Sequence, residues 1–228
     1  MRKLSFLLKL AVLLTMSVLV LLPACVWIAA FHTQRRAESF LADLVALDLG
    51  KSKLSEALKI ANDHDGFIFD YGHENKSVSR DMALPSACTE KACDLGFRFD
   101  SFVLRRFHLG YQTALVGFIE VRDGVVTTRQ ASFGTWSGRQ SEQGWDDSYQ
   151  IDVYECSPRA GGPCQYFLSG LDYTVRWHST APRYAVYFTS QAPPYRRGPA
   201  WALNLSCFTR LGGCRSRHEL LPGVPEIE

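Results

Sequence analysis

The chain reads as an α+β protein on a membrane anchor: an N-terminal transmembrane helix followed by a helix pair packed on a largely antiparallel β-sheet with local disulfides. Three observations predict this. Leu10 to Phe31 is an uncharged run of 22 residues. From Ala37 to Asp63 the apolar positions recur at helical spacing. Beyond Phe67 they alternate, with turn residues between the runs and six cysteines in three short intervals.

At about 1.5 Å per residue the Leu10–Phe31 run spans roughly 33 Å, enough to cross a hydrocarbon core of about 30 Å. Arg2, Lys3 and Lys9 precede it and Arg35 and Arg36 follow it, a narrow excess that favours a cytoplasmic N-terminus. The sequence therefore divides into a basic cytoplasmic segment (1–9), a transmembrane signal anchor (10–31), an exported α+β ectodomain (32–218) and an irregular tail (219–228). A cleaved signal peptide is the competing reading, but its apolar region is normally about 7 to 15 residues. Leu22-Pro23-Ala24-Cys25 resembles the bacterial lipoprotein box, which implies lipidation at Cys25; Pro23 departs from the small residue usual there. The expected location is a bacterial cytoplasmic membrane, crossed once, with the C-terminal domain on the periplasmic or extracellular side.

About 190 residues follow the anchor, enough for one good core. The exported part carries twenty-two basic against twenty-three acidic residues, which is no electrostatic footprint for nucleic acid. Nine Tyr, 14 Phe and five Trp fall among Val, Thr and Ile, and that composition favours strands.

In chain order, Ala37, Phe40, Leu41, Leu44 and Val45 share one face of a helix over 37–49, which Gly50 ends. Leu54, Ala57, Leu58 and Ala61 share one face of a second helix over 53–63, with Ser52 as N-cap and Gly66 after its end. The junction Leu47-Asp48-Leu49-Gly50-Lys51-Ser52 resembles the L-x-x-G-x-[ST] link between two helices in small bacterial outer-envelope domains of the SmpA/BamE type. What the resemblance implies is a helix pair covering an antiparallel sheet; it implies no functional residue.

Strands are expected at 67–71, 97–107, 149–156, 173–178, 183–190 and 200–209, with Pro193-Pro194 as a loop between the last two. The clearest hairpin joins 115–121 to 125–133 through Asp123-Gly124, whose residues tolerate the positive φ of a type I′ turn. Between Gly134 and Asp147 lies a Gly/Ser/Gln-rich loop.

The exported cysteines fall as Cys88/Cys93, Cys156/Cys164 and Cys207/Cys214, with turn formers inside the last two intervals. Local pairing is the simplest of 15 schemes. A zinc site would want C-x2-4-C spacing and tetrahedral closure, and only the first pair fits. No metal or cofactor is expected.

Among polar clusters, His64, Asp65, Asp70, His73 and Glu74 crowd eleven residues, the donor types of zinc or a general base, without the H-E-x-x-H spacing. Glu142, Asp146 and Asp147 are acids that a glycosidase would need across a cleft. His108 and His178 lie in strand patterns. No catalytic residue is assigned. The better lead is the 134–147 loop: Trp136, Trp145 and Tyr149 offer flat apolar faces, and Gln140, Gln143 and Asp146 offer hydrogen bonds, a set suited to sugars or peptide. The expected function is a membrane-anchored envelope protein with a non-enzymatic binding or assembly ectodomain, its partners the bilayer through 10–31 and an envelope protein or glycan. The alternative is a membrane-tethered hydrolase of cell-wall glycan or peptide acting through loop carboxylates.

Overall fold

The computed structural model describes residues 2–68, 88–101, 112–136, 140–141, 144–145, 149–158, 168, 173–178, 183–210 and 213–224. Its first element is one helix, α1 (Arg2–Ala46), 45 residues long. The anchor expected over 10–31 and the helix expected over 37–49 are therefore parts of one continuous helix. Nothing between Phe31 and Ala37 stops a helix, since His-Thr-Gln-Arg-Arg holds neither Gly nor Pro. Pro23 lies inside α1 without ending it. From Leu10 to Phe31 the described apolar side chains are mostly exposed, Val26 and Ala30 being buried; beyond, Ala37, Phe40 and Leu44 are fully buried. The helix is long and apolar enough to cross a membrane.

A link over 47–53 leads to α2 (Leu54–Asp63), which buries Ala57, Ile60 and Ala61. Its N-cap is Lys53 rather than Ser52, and the Lys53 N–H donates to Glu56 Oε2 at 3.1 Å. Gly50, at φ +80°, takes the left-handed backbone expected of it and donates its N–H to Val126 O.

The sheet follows: β1 (Phe67–Ile68), β2 (Ala92–Asp100), β3 (Gln112–Arg122), β4 (Val125–Trp136), then the two-residue pair β5 (Gln140–Ser141) and β6 (Gly144–Trp145), then β7 (Tyr149–Cys156), β8 (Tyr173–His178) and β9 (Arg183–Thr189). The main sheet runs β1-β2-β3-β4-β7-β9-β8: six strands of six residues or more, with β1 at one edge. All neighbours are antiparallel except β7 and β9, because β9 inserts between β7 and the edge strand β8. The β3–β4 hairpin turns at Asp123 (φ 50°) and Gly124 (φ 76°), the positive-φ pair the dipeptide predicted. Strand β2 begins five residues before the expected start at 97, and 102–111 lie outside the described residues, as do 69–87.

The expected strand at 200–209 is not formed. Pro194 instead opens a helix, α3 (Pro194–Trp201), followed by a 3₁₀ turn (Leu205–Phe208). Proline at the first helical position has a fixed φ suited to the helix and gives up an N–H that would be unpaired there anyway. The expected irregular stretch from Glu219 likewise holds the end of α4 (Arg217–Leu220), and Leu220, Leu221 and Val224 are buried.

One sheet face carries α1, α2, the 3₁₀ turn and α4. Under them Phe40 packs on Phe97 (4.5 Å between centroids) and Phe99 (5.1 Å). The ring occupies the space above Gly117, where a Cβ would collide with it. A smaller cluster of Cys156, Leu168, Ala185 and Tyr187 lies on the opposite face.

Disulfides join Cys88 to Cys93 and Cys207 to Cys214, as the spacing predicted. Cys156 is disulfide-bonded too, while Cys164 lies outside the described residues. The second bridge is fastened by two sheet threonines: Thr113 Oγ1 donates to Cys207 O at 3.1 Å, and Thr135 Oγ1 donates to Cys214 O.

Candidate functional site

Alternation puts Arg129 of β4 and Glu155 of β7 on the helix-covered face, among Ala131, Phe133, Ile151 and Val153. Each is at most 2% exposed. A charge in such a place is strongly disfavoured unless it is paired and hydrogen-bonded. Arg129 donates to Glu155 Oε2 from Nε (3.0 Å) and Nη2 (2.6 Å). Its Nη1 reaches the carbonyls of Leu44 (2.8 Å), Val45 (2.5 Å) and Leu47 (2.8 Å). These carbonyls lie at and just past the end of α1, Leu44 O accepting also from the Leu47 N–H, and α1 has no basic residue of its own in its last turn. The sheet thus supplies the cation that caps the helix.

From the other side α3 closes on the same carboxylate. Trp201 Nε1 donates to Glu155 Oε2 at 2.8 Å, and the Arg129 guanidinium lies 5.3 Å from the Trp201 ring centre. Arg197 Nη2 sits 2.7 Å from Glu155 Oε1, an ionic contact outside hydrogen-bond angles, and among the described residues Oε1 and Arg197 Nε have no hydrogen-bond partner. Burial pulls the Arg129 guanidinium below its ordinary pKa, and Glu155 pulls it back up. Arginine remains a cation under such conditions.

Above this floor α1 and α3 enclose an open groove of about 820 Å³. One wall is the α1 stripe Gln34, Glu38, Leu41, Ala42 and Val45, spaced as one helical face. The other is Pro194, Arg197, Gly198 and Trp201 of α3, and the chain over 202–206 completes it. Glu38 is held by Gln34 Nε2 (2.7 Å) and Arg35 Nη1 (3.1 Å). Two guanidiniums share one carboxylate in the floor, which leaves a net positive charge there.

Among the described residues, none of those singled out from sequence for binding or catalysis lines this groove. Trp136 ends β4 opposite Gln112, and Trp145 pairs with Gln140 in the separate β5–β6 ladder. Tyr149 is half-buried against the main core. Gln143, Asp146, Glu142 and Asp147 lie outside the described residues, with Asp70, His73, Glu74 and His108. The described members of the 64–74 cluster face α1: buried His64 bonds Asp43 through Nε2 at 2.7 Å, and Asp65 pairs with Arg36 at 2.5 Å. Both contacts fasten α2 to α1. His178 lies in the edge strand β8. Arg129, Glu155, Arg197 and Trp201 were not singled out, although opposite charges at inward positions of two well-marked strands are a legible signal of a buried pair.

Fold and groove together define a helix-borne α+β domain whose long N-terminal helix forms one wall of its own cleft. No protein-family model, curated protein or solved structure matches the chain.

Proposed function

We propose that this protein is a membrane-anchored, non-enzymatic binding module whose ligand site is the groove between α1 and α3. The carrying observation is that α1 serves twice: its exposed apolar half suits a bilayer, and the same unbroken helix then forms a groove wall from Gln34 to Val45. A ligand in the groove would therefore lie against the anchor itself. Gln34 is three residues beyond Phe31, about 4.5 Å of helical rise, and Val45 about 21 Å. The charged groups of the floor hold one another, an arrangement that favours recognition over turnover: Glu155 Oε2 already accepts three hydrogen bonds. The disulfides support placing the domain on the oxidising side of a cytoplasmic membrane, with the N-terminus inside.

The test is site-specific photocrosslinking of the full chain in its native membrane, with benzoylphenylalanine incorporated at Ala42 in the groove or at Lys59 on the exposed side of α2. A discrete adduct at 42 and none at 59 is expected. No adduct at 42, or the same adducts at both positions, would remove the groove as the ligand site.

A further inference from the structure

Resting on that reading, we propose that the groove takes a long-chain acyl carboxylate drawn from the bilayer, its acid group on Arg197 and its chain along Leu41 and Leu205. Charge selects the head. Arg129 spends its donors on Glu155 and the end of α1, whereas Arg197 gives Glu155 a single ionic contact and keeps a third of its side chain exposed at the groove. With two guanidiniums to one carboxylate, the floor lacks one negative charge, and a monoanion supplies it. Glu38, the acid of the groove wall, is already neutralised by Arg35.

The surroundings select the tail. Leu41, Val45, Leu203 and Leu205 line the same cleft, so it offers apolar side chains to a hydrocarbon body. The groove begins about one helical turn beyond Phe31, the exposed residue that ends the Leu10–Phe31 apolar run, so a bilayer amphiphile reaches it over a short distance along α1. An acidic peptide would satisfy Arg197 equally, but it would bring backbone N–H and C=O groups against these leucines and need partners for them there. A hydrocarbon chain needs none.

The experiment uses the full chain in nanodiscs of zwitterionic phospholipid, loaded with diazirine-bearing hexadecanoate or, separately, the matching diazirine hexadecanol. Labelled positions are mapped by mass spectrometry. Both probes should label 10–31. The carboxylate should label 38–45 and 194–206 about tenfold more strongly than the alcohol, the effect of one charge-assisted hydrogen bond. Arg197→Gln should bring that ratio close to one. Ala42→Trp, at an exposed position that fills the groove, should abolish groove labelling while leaving 10–31 labelled, and it decides the matter if Arg197→Gln does not fold. Equal groove labelling by acid and alcohol, or none by the acid, overturns the proposal. A protein-mass adduct from the crosslinker at 42 with no acyl labelling would defeat this ligand and leave the groove standing; no adduct by either route would defeat both.

Discussion

Arg129 and Glu155 are direct register partners across β4 and β7, and their side chains meet at 2.6 Å and 3.0 Å beneath the end of α1. One pair thus joins the middle of the sheet to the long helix and, through Trp201 and Arg197, to α3. Arg129→Met should destabilise the domain by about 3 to 5 kcal/mol, because it leaves Glu155 buried with one partly exposed cation and strips the cap from α1. Urea unfolding followed by circular dichroism would measure it; a loss under 1 kcal/mol would show the pair to be dispensable.

Gly117→Ala should cost about 1 to 3 kcal/mol, since the added methyl enters the space of the Phe40 ring, itself wedged on Phe97 and Phe99. Phe40→Leu in the same chain should make Gly117→Ala less harmful than it is alone. A double-mutant cycle on denaturation midpoints reads the coupling, and strict additivity would contradict the packing described.

Glu120, half-buried on the other sheet face, has its carboxyl pKa raised by burial, which outweighs the downward pull of Thr128 and Arg122. A carboxyl whose folded value lies above its unfolded one binds protons more readily in the native state. Stability from this group therefore falls as pH rises from the ordinary value of 4.5 through the folded value. Glu120→Gln should be more stable than the parent at pH 7 and lose that advantage below 4.5. Thermal midpoints from pH 3.5 to 7.5 would show it; an advantage that grows toward acid would reverse the sign.

Replacing Cys207 and Cys214 by alanine together should cost roughly 2 to 2.5 kcal/mol by the chain-entropy model for a loop this short. The variant should still fold, because Thr113 and Thr135 hold the same backbone carbonyls independently. Failure to fold, judged by near-ultraviolet circular dichroism, would mean the bridge does more than pin a loop.

Topology has its own test. Alkaline phosphatase fused after Glu228 should be active and β-galactosidase at the same point inactive, since the first works only after export and the second only in the cytoplasm. The opposite pattern would place the cysteines on the reducing side.

By itself the sequence determined what depends on neighbours along the chain. The uncharged run from Leu10 to Phe31 had to be helical and apolar. Asp123-Gly124 had to turn with positive φ, and Cys207 and Cys214, seven residues apart around two glycines, could meet locally. Such features need only helical rise, steric limits and short loops. Tertiary structure decided the rest. Residues 200 to 209 carry an alternating pattern, yet Trp201 follows Pro194 and Pro199 into a helix whose indole N–H finds Glu155, 46 residues away in sequence. Likewise the inward position of Arg129 follows from alternation, but nothing local says that a helix ending at Ala46 will bring its terminal carbonyls to that guanidinium. The groove exists only because α1 continues past the apolar run and α3 folds back over it, and contacts between such distant segments leave no periodic trace in the chain.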